Sequence, residues 1–87
     1  MCTYATERIQ VTGSGKAAAG WVPVTDATVY YDHPVHAQAG HTLNIDFLNP
    51  GLGPSARVAV ELTAASARAL VDAVQAALAS VPPALLE

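Results

Sequence analysis

TDATVYYDHPVHAQAGHTLNIDFL, residues 25–48, is the stretch that decides the fold, because apolar and polar side chains alternate along both of its ends. Alternation with a period of two predicts half-buried β-strands, since successive side chains of a strand point to opposite faces of a sheet. We predict strands over about 25–33 and 41–48. The stretch between them is too short for a parallel crossover, so the two strands should pair as an antiparallel hairpin.

The rest of the chain extends this hairpin on both sides. The same alternation predicts strands over about 3–11 and 56–62. Glycines and small residues from Gly13 to Gly20 break the pattern and predict a long, mobile connection. Thr63 is of a residue type that caps helices, and the alanine-rich segment after it carries an apolar stripe that predicts a helix over about 64–81.

These elements predict one α+β domain over residues 1–87, in the order β-β-β-β-α. We expect a four-stranded antiparallel β-sheet, a meander, with one C-terminal α-helix packed on one face. Because one helix covers only one face of such a sheet, the other face should meet solvent or a second subunit.

The three histidines lie together at the central hairpin, His33 and His41 on the facing strand ends and His36 in the loop, which makes it the place where chemistry is expected. His33 and His41 face each other across the hairpin, with Cβ atoms about 4.5–5.5 Å apart if the positions are directly opposed. His36 lies between them, and the chain order brings Cys2 and the helix start at Thr63 to the same sheet edge. This predicts a divalent metal site with His33, His36, His41 and Cys2 as ligands, for zinc, copper, nickel or iron. An open coordination position would make it a metalloenzyme acting on a small anionic molecule.

Four further residues are candidates for the surroundings of this site. Asp32 and Glu7 are carboxylates that could orient a histidine or line a pocket, although Glu7 lies on the order of 13 Å from the edge at strand rise. Tyr31 is a pocket candidate that is as typical of a core or an interface. The helix N-terminus at Thr63 would keep a nearby histidine neutral and attract an anion.

Two alternatives need no metal. The spacing H-x2-H-x4-H matches no zinc signature, so the histidines could instead be structural hydrogen-bonding groups in a dimeric binding or accessory module. A histidine-based acid/base enzyme is the other alternative. The charged residues Asp46, Arg57 and Glu61 are interpreted as a solvated sheet surface.

Composition restricts the partners. The chain is 52% hydrophobic and only 13% charged, against about 25% charged in ordinary globular domains, which favours a homo-oligomer, and we expect a homodimer. The other expected partner is a small-molecule ligand at the histidine site. A net charge of −3 with four scattered basic residues argues against nucleic acid and anionic membranes. No leader-like or membrane-spanning stretch occurs and Cys2 is the single cysteine, so we expect a cytoplasmic protein.

Blocks of residues along nearly the whole chain resemble those of a known protein family. They are Met1 to Tyr4 with Thr6 and Glu7, Ser14 to Lys16, Asp26 to Ala37, and His41 to Phe47. In these blocks the chain resembles a family of short uncharacterised actinobacterial proteins. That resemblance implies no activity, since the family is a domain of unknown function.

Overall fold

Antiparallel pairing joins four strands in chain order, and one helix follows them. The computed structural model describes residues 5–87. The sheet order is β1-β2-β3-β4, which confirms the predicted α+β meander and its order β-β-β-β-α. The elements are β1 (Thr6–Ala17), β2 (Gly20–Asp32), β3 (Thr42–Leu48), β4 (Arg57–Leu62) and α1 (Ala64–Ala79).

The registers place polar and apolar side chains on opposite faces of the sheet. Tyr30 pairs with Asn44 and Asn44 pairs with Glu61, so these three residues share one face, which we call the polar face. Val29 pairs with Ile45 on the opposite, apolar face. The polar face is the better covered of the two at β3, where Thr42, Asn44 and Asp46 are all buried.

The hairpin of β1 and β2 is longer than the sequence predicts. The expected mobile connection from Gly13 to Gly20 is wrong, because most of it is paired strand that turns only between Ala17 and Gly20. A β-bulge between Gln10 and Gly13 bends β1 there, as bulges do in antiparallel pairs. The bend brings the hairpin end over the apolar face, where Gly15 lies against β4.

Gly15 permits this close approach. A Cβ atom at this position would lie 3.2 Å from Val58 Cγ2 and 3.4 Å from Val24 Cγ1. A Gly15→Val substitution should therefore destabilise the fold by about 1–3 kcal/mol through overpacking, measured by chemical denaturation at a fixed protein concentration. Gly13→Val is the matched control, since a Cβ there meets nothing within 4 Å. Equal stability of the two variants would show that the hairpin end does not rest on Val58.

The helix begins at a capped residue and ends near a pair of prolines. Thr63 Oγ1 accepts a hydrogen bond of 3.2 Å from the backbone N–H of Ser66, the expected N-cap geometry. The last helical residue is Ala79, before Pro82 and Pro83, which cannot continue a helix. Within residues 5–87, no helix combines the length and the apolar character needed to cross a membrane.

The helix contacts β3 and β4, but it does not lie buried on the sheet as the sequence predicts. None of its residues is buried. Its start gives the reason, because a single residue, Thr63, connects β4 to the helix. Connections of two to six residues are usual where a chain must reverse over its own sheet.

Candidate functional site

A concave region of about 740 Å³ lies on the polar face, beneath the loop between β2 and β3. We call this loop, residues 33–41, the histidine loop, and the concavity the polar cleft. The cleft is walled by the loop on one side and floored by β2, β3 and β4. The residues with polar side chains that line it are Tyr30, Asp32, His33, His36, Asn44, Asp46, Arg57 and Glu61.

Glu61, near the end of β4, holds the histidine loop in place. The backbone N–H of Val35 donates to its Oε2, and those of His36 and Ala37 donate to its Oε1 at 2.9 Å each. Three consecutive backbone donors thus surround one carboxylate. These hydrogen bonds, with those of Val35 and His36 first, hold the pKa of Glu61 below its usual value, against a smaller opposing effect of burial. The sequence interpretation of Glu61 as a solvated surface residue is wrong.

The floor of the cleft is a hydrogen-bonded network around Asp46. Tyr30 donates its hydroxyl to Asp46 Oδ2 at 3.1 Å, and Arg57 Nη2 donates to Asp46 Oδ1 at 2.9 Å. Burial raises the pKa of Tyr30, and the neighbouring Asp46 carboxylate raises it further, so the phenol stays protonated and donates. Both oxygens of a buried carboxylate are satisfied, which fixes the position of the floor.

The structure brings three of the predicted site residues together in one stack of aromatic rings. The ring centroids of His33 and His41 are 4.4 Å apart with 29° between the ring planes. Tyr31 stacks on His41 at 6.0 Å and 9°. His33 Nδ1 lies 2.9 Å from the carbonyl oxygen of Gly40. Because a carbonyl only accepts, this bond places the proton on Nδ1 and leaves Nε2 as the basic nitrogen of the neutral ring.

The predicted metal-binding function is contradicted by this geometry. Among residues 5–87, no group of three or more His, Cys, Asp or Glu side chains could hold a metal ion. The lone pairs of imidazole nitrogens lie in the ring plane, so the stacked rings of His33 and His41 do not direct them to one point. His36 contributes its backbone to Glu61. The fourth predicted ligand, Cys2, lies outside the described residues.

The remaining predicted residues are dispersed. Asp32 Oδ1 accepts the backbone N–H of His33 at 2.7 Å and so fixes the start of the histidine loop. Glu7 is exposed and pairs with Val29, four residues before His33 in the sequence, away from the loop. Thr63 follows Leu62, which pairs with Leu43 at the same sheet edge as the loop.

Comparison with known proteins gives a family and no activity. Among curated proteins there is no match, and there is none among solved structures. A family profile of unknown function, DUF6295, matches residues 1–87. Since that match covers the whole sequence, the chain belongs to the family of unknown function DUF6295.

Proposed function

We propose that this protein is a metal-free binding module that takes a small, positively charged polar molecule into the polar cleft. The charge of the lining carries the proposal. Asp32, Asp46 and Glu61 contribute three carboxylates against the single guanidinium of Arg57, a net charge of −2 with neutral histidines. Ligand pockets typically measure about 300–1,000 Å³, and the cleft, at about 740 Å³, falls in this range.

The fixed geometry of the cleft supports ligand binding, as its charge does. The floor is fixed by the bonds that Tyr30 and Arg57 make to Asp46, and the wall is fixed by Glu61. A site that is already ordered avoids part of the entropy cost of binding. The Tyr30 ring in the floor adds a face that attracts cations.

The test is a titration of the full chain, followed by nuclear magnetic resonance (NMR), with four probes of similar size. These are 1,4-diaminobutane, choline, glycerol and succinate. We expect the two cations to shift the amide resonances of Ala37, Asn44 and Glu61, and we expect glycerol and succinate to leave them unchanged. An Asp32→Asn substitution keeps the acceptor for His33 but removes one charge, so it should weaken cation binding about fivefold.

Asp72→Asn is the matched control, since Asp72 carries the same charge on α1 and does not line the cleft. It should leave the affinity unchanged. Binding should also weaken with added salt, because the attraction is electrostatic. Preferential binding of succinate, or equal effects of the two substitutions, would contradict the proposal.

We extend the proposal to the cellular location and the source of the protein. The single cysteine supports a cytoplasmic location, where thiols are kept reduced. The alanine-rich composition is in keeping with an actinobacterial source. Detection of the protein in a fractionated cell extract tests the location directly.

A further inference from the structure

The helix α1 presents an apolar stripe that the chain itself does not cover. Leu70, Val71, Val74 and Leu78 recur at helical spacing and are between 44% and 56% exposed. The helix has only two charged residues, Arg68 and Asp72. A helix whose apolar side faces water is normally one that packs against another surface.

The apolar face of the sheet has the complementary feature. Ile9 is 56% exposed and Val60 is 36% exposed, while Val29, Ile45 and Phe47 on the same face are only half-buried. A groove of about 350 Å³ opens on this face beneath the bent end of the β1–β2 hairpin. Its apolar lining is Val11, Val24, Phe47 and Val58, and the rest is Thr12, Ser14 and two glycines. Apolar cavities of about 150 Å³ accept a benzene-sized group, so the groove has room for side chains of a helix.

The helix of the same chain does not fill this groove, because none of its residues lines it. The helix contacts β3 and β4 of its own sheet, but these contacts bury none of its residues. Each chain therefore carries both parts of a helix-on-sheet contact without joining them.

The dimensions of the single chain also indicate that it leaves a large surface uncovered. A folded monomer of 8.9 kDa should expose about 4,800 Å², whereas this chain exposes 6,401 Å². Its radius of gyration is 14.5 Å, against about 12 Å for a compact chain of this length. The excess of about 1,600 Å² per chain is about 3,200 Å² for a pair, within the 2,000–5,000 Å² of obligate homodimers.

We infer that the chain forms a symmetric homodimer in which α1 of each protomer packs across the apolar face of its partner's sheet. A two-fold axis makes the contact reciprocal, so that both exposed helices and both open faces are covered at once. The partner is a second copy because the two unsatisfied surfaces are complementary and occur once each in every chain. This inference is independent of the proposed ligand, since no residue of α1 or of the apolar groove lines the polar cleft.

The first test is the mass in solution by light scattering. We expect twice the 8.9 kDa of one chain. A Leu70→Asp/Val74→Asp double variant should have the mass of one chain, because buried carboxylates would oppose the contact. The control, Ala69→Asp/Ala76→Asp, adds the same charges to the opposite side of the same helix and should remain dimeric.

A second measurement on the unchanged protein decides the geometry if the double variant does not fold. In a sample mixed from isotope-labelled and unlabelled chains, we expect intermolecular nuclear Overhauser effects between the Leu70 and Val74 methyl groups and Phe47 or Val58. A mass of one chain at NMR concentration would overturn the inference. So would a dimer whose intermolecular contacts join helix to helix or sheet to sheet, or helix–sheet contacts found only within one chain.

Discussion

A Glu61→Gln substitution is expected to release the histidine loop while the sheet stays folded. Both carboxylate oxygens of Glu61 accept from the loop, with Val35 bonded to one and His36 and Ala37 to the other. Glutamine replaces one of those oxygens by an NH₂ group, which faces an N–H donor and cannot accept from it. Protection of these three amides from solvent exchange, measured by NMR, should fall about tenfold or more.

The same contact should make the order of the loop depend on pH. The folded-state pKa of Glu61 is lowered by the backbone N–H groups of Val35 and His36. A lowered carboxyl pKa contributes stability that is fully present above the unfolded value of about 4.5 and is lost as the pH falls through the folded value. Amide resonances of residues 35–37 should therefore titrate together in the acid range in the natural protein, and show no such step in Glu61→Gln.

Glu7→Gln is the control for the loss of a carboxylate as such. Glu7 is exposed on β1 and pairs with Val29, so its substitution should leave the loop amides and their acid titration unchanged. A similar loss of protection in both variants would mean that overall charge orders the loop. Unchanged protection in Glu61→Gln would show that the loop keeps its conformation without the carboxylate.

The sequence predicts the central hairpin well because periodicity and loop length act locally. Once strands are assigned on each side of the histidine loop, parity alone places His33 and His41 on one face, and their rings are indeed stacked. Parity cannot predict the ring planes or the tautomer. Both depend on the hydrogen bond between His33 and the Gly40 carbonyl. The metal hypothesis assumed that the ring nitrogens of His33 and His41 point at one ion, whereas the two rings stack face to face.

The errors at the β1–β2 hairpin and at Glu61 have a common physical cause. Gly13 and Gly15 are turn-forming residues locally, but a bulge and the neighbouring Val58 make them part of a bent strand. Glu61 alternates as an outward-facing residue, and only the path of the loop gives it three donors. A signal was available there, because a proline-containing loop with no side-chain oxygen at residues 35–37 leaves backbone N–H groups that need a partner.

The helix shows the limit of reasoning within a single chain. Its N-cap at Thr63 and its apolar stripe are local properties, and they predict its existence and nearly its bounds. What the stripe packs against depends on the direction that the chain takes after β4. An apolar stripe specifies that a covering surface exists, and it does not specify which chain provides it.

Removal of the Asp46 side chain should be the most destabilising change in the polar cleft. Asp46→Ala leaves the half-buried Tyr30 hydroxyl without its acceptor and returns Arg57 to solvent. Because Asp46 is itself buried and bonds to one charged group, we expect a loss of about 2 kcal/mol in the free energy of unfolding. Asp46→Asn keeps the shape and one acceptor oxygen, so it should lose about 1 kcal/mol.

A double-mutant cycle across the hydrogen bond between Tyr30 and Asp46 tests whether the floor of the cleft is a connected network. Tyr30→Phe alone should lose about 1 kcal/mol, but in the Asp46→Ala background the hydroxyl has no acceptor left to lose and the same substitution should have little effect. Tyr31→Phe is the control, since it keeps the ring that stacks on His41 and lies on the other face. Chemical denaturation at one fixed protein concentration supplies all the values, because the stability of an associating chain depends on concentration. Additive losses for Tyr30 and Asp46 would mean that the two residues stabilise the sheet separately, and that the cleft has no connected floor.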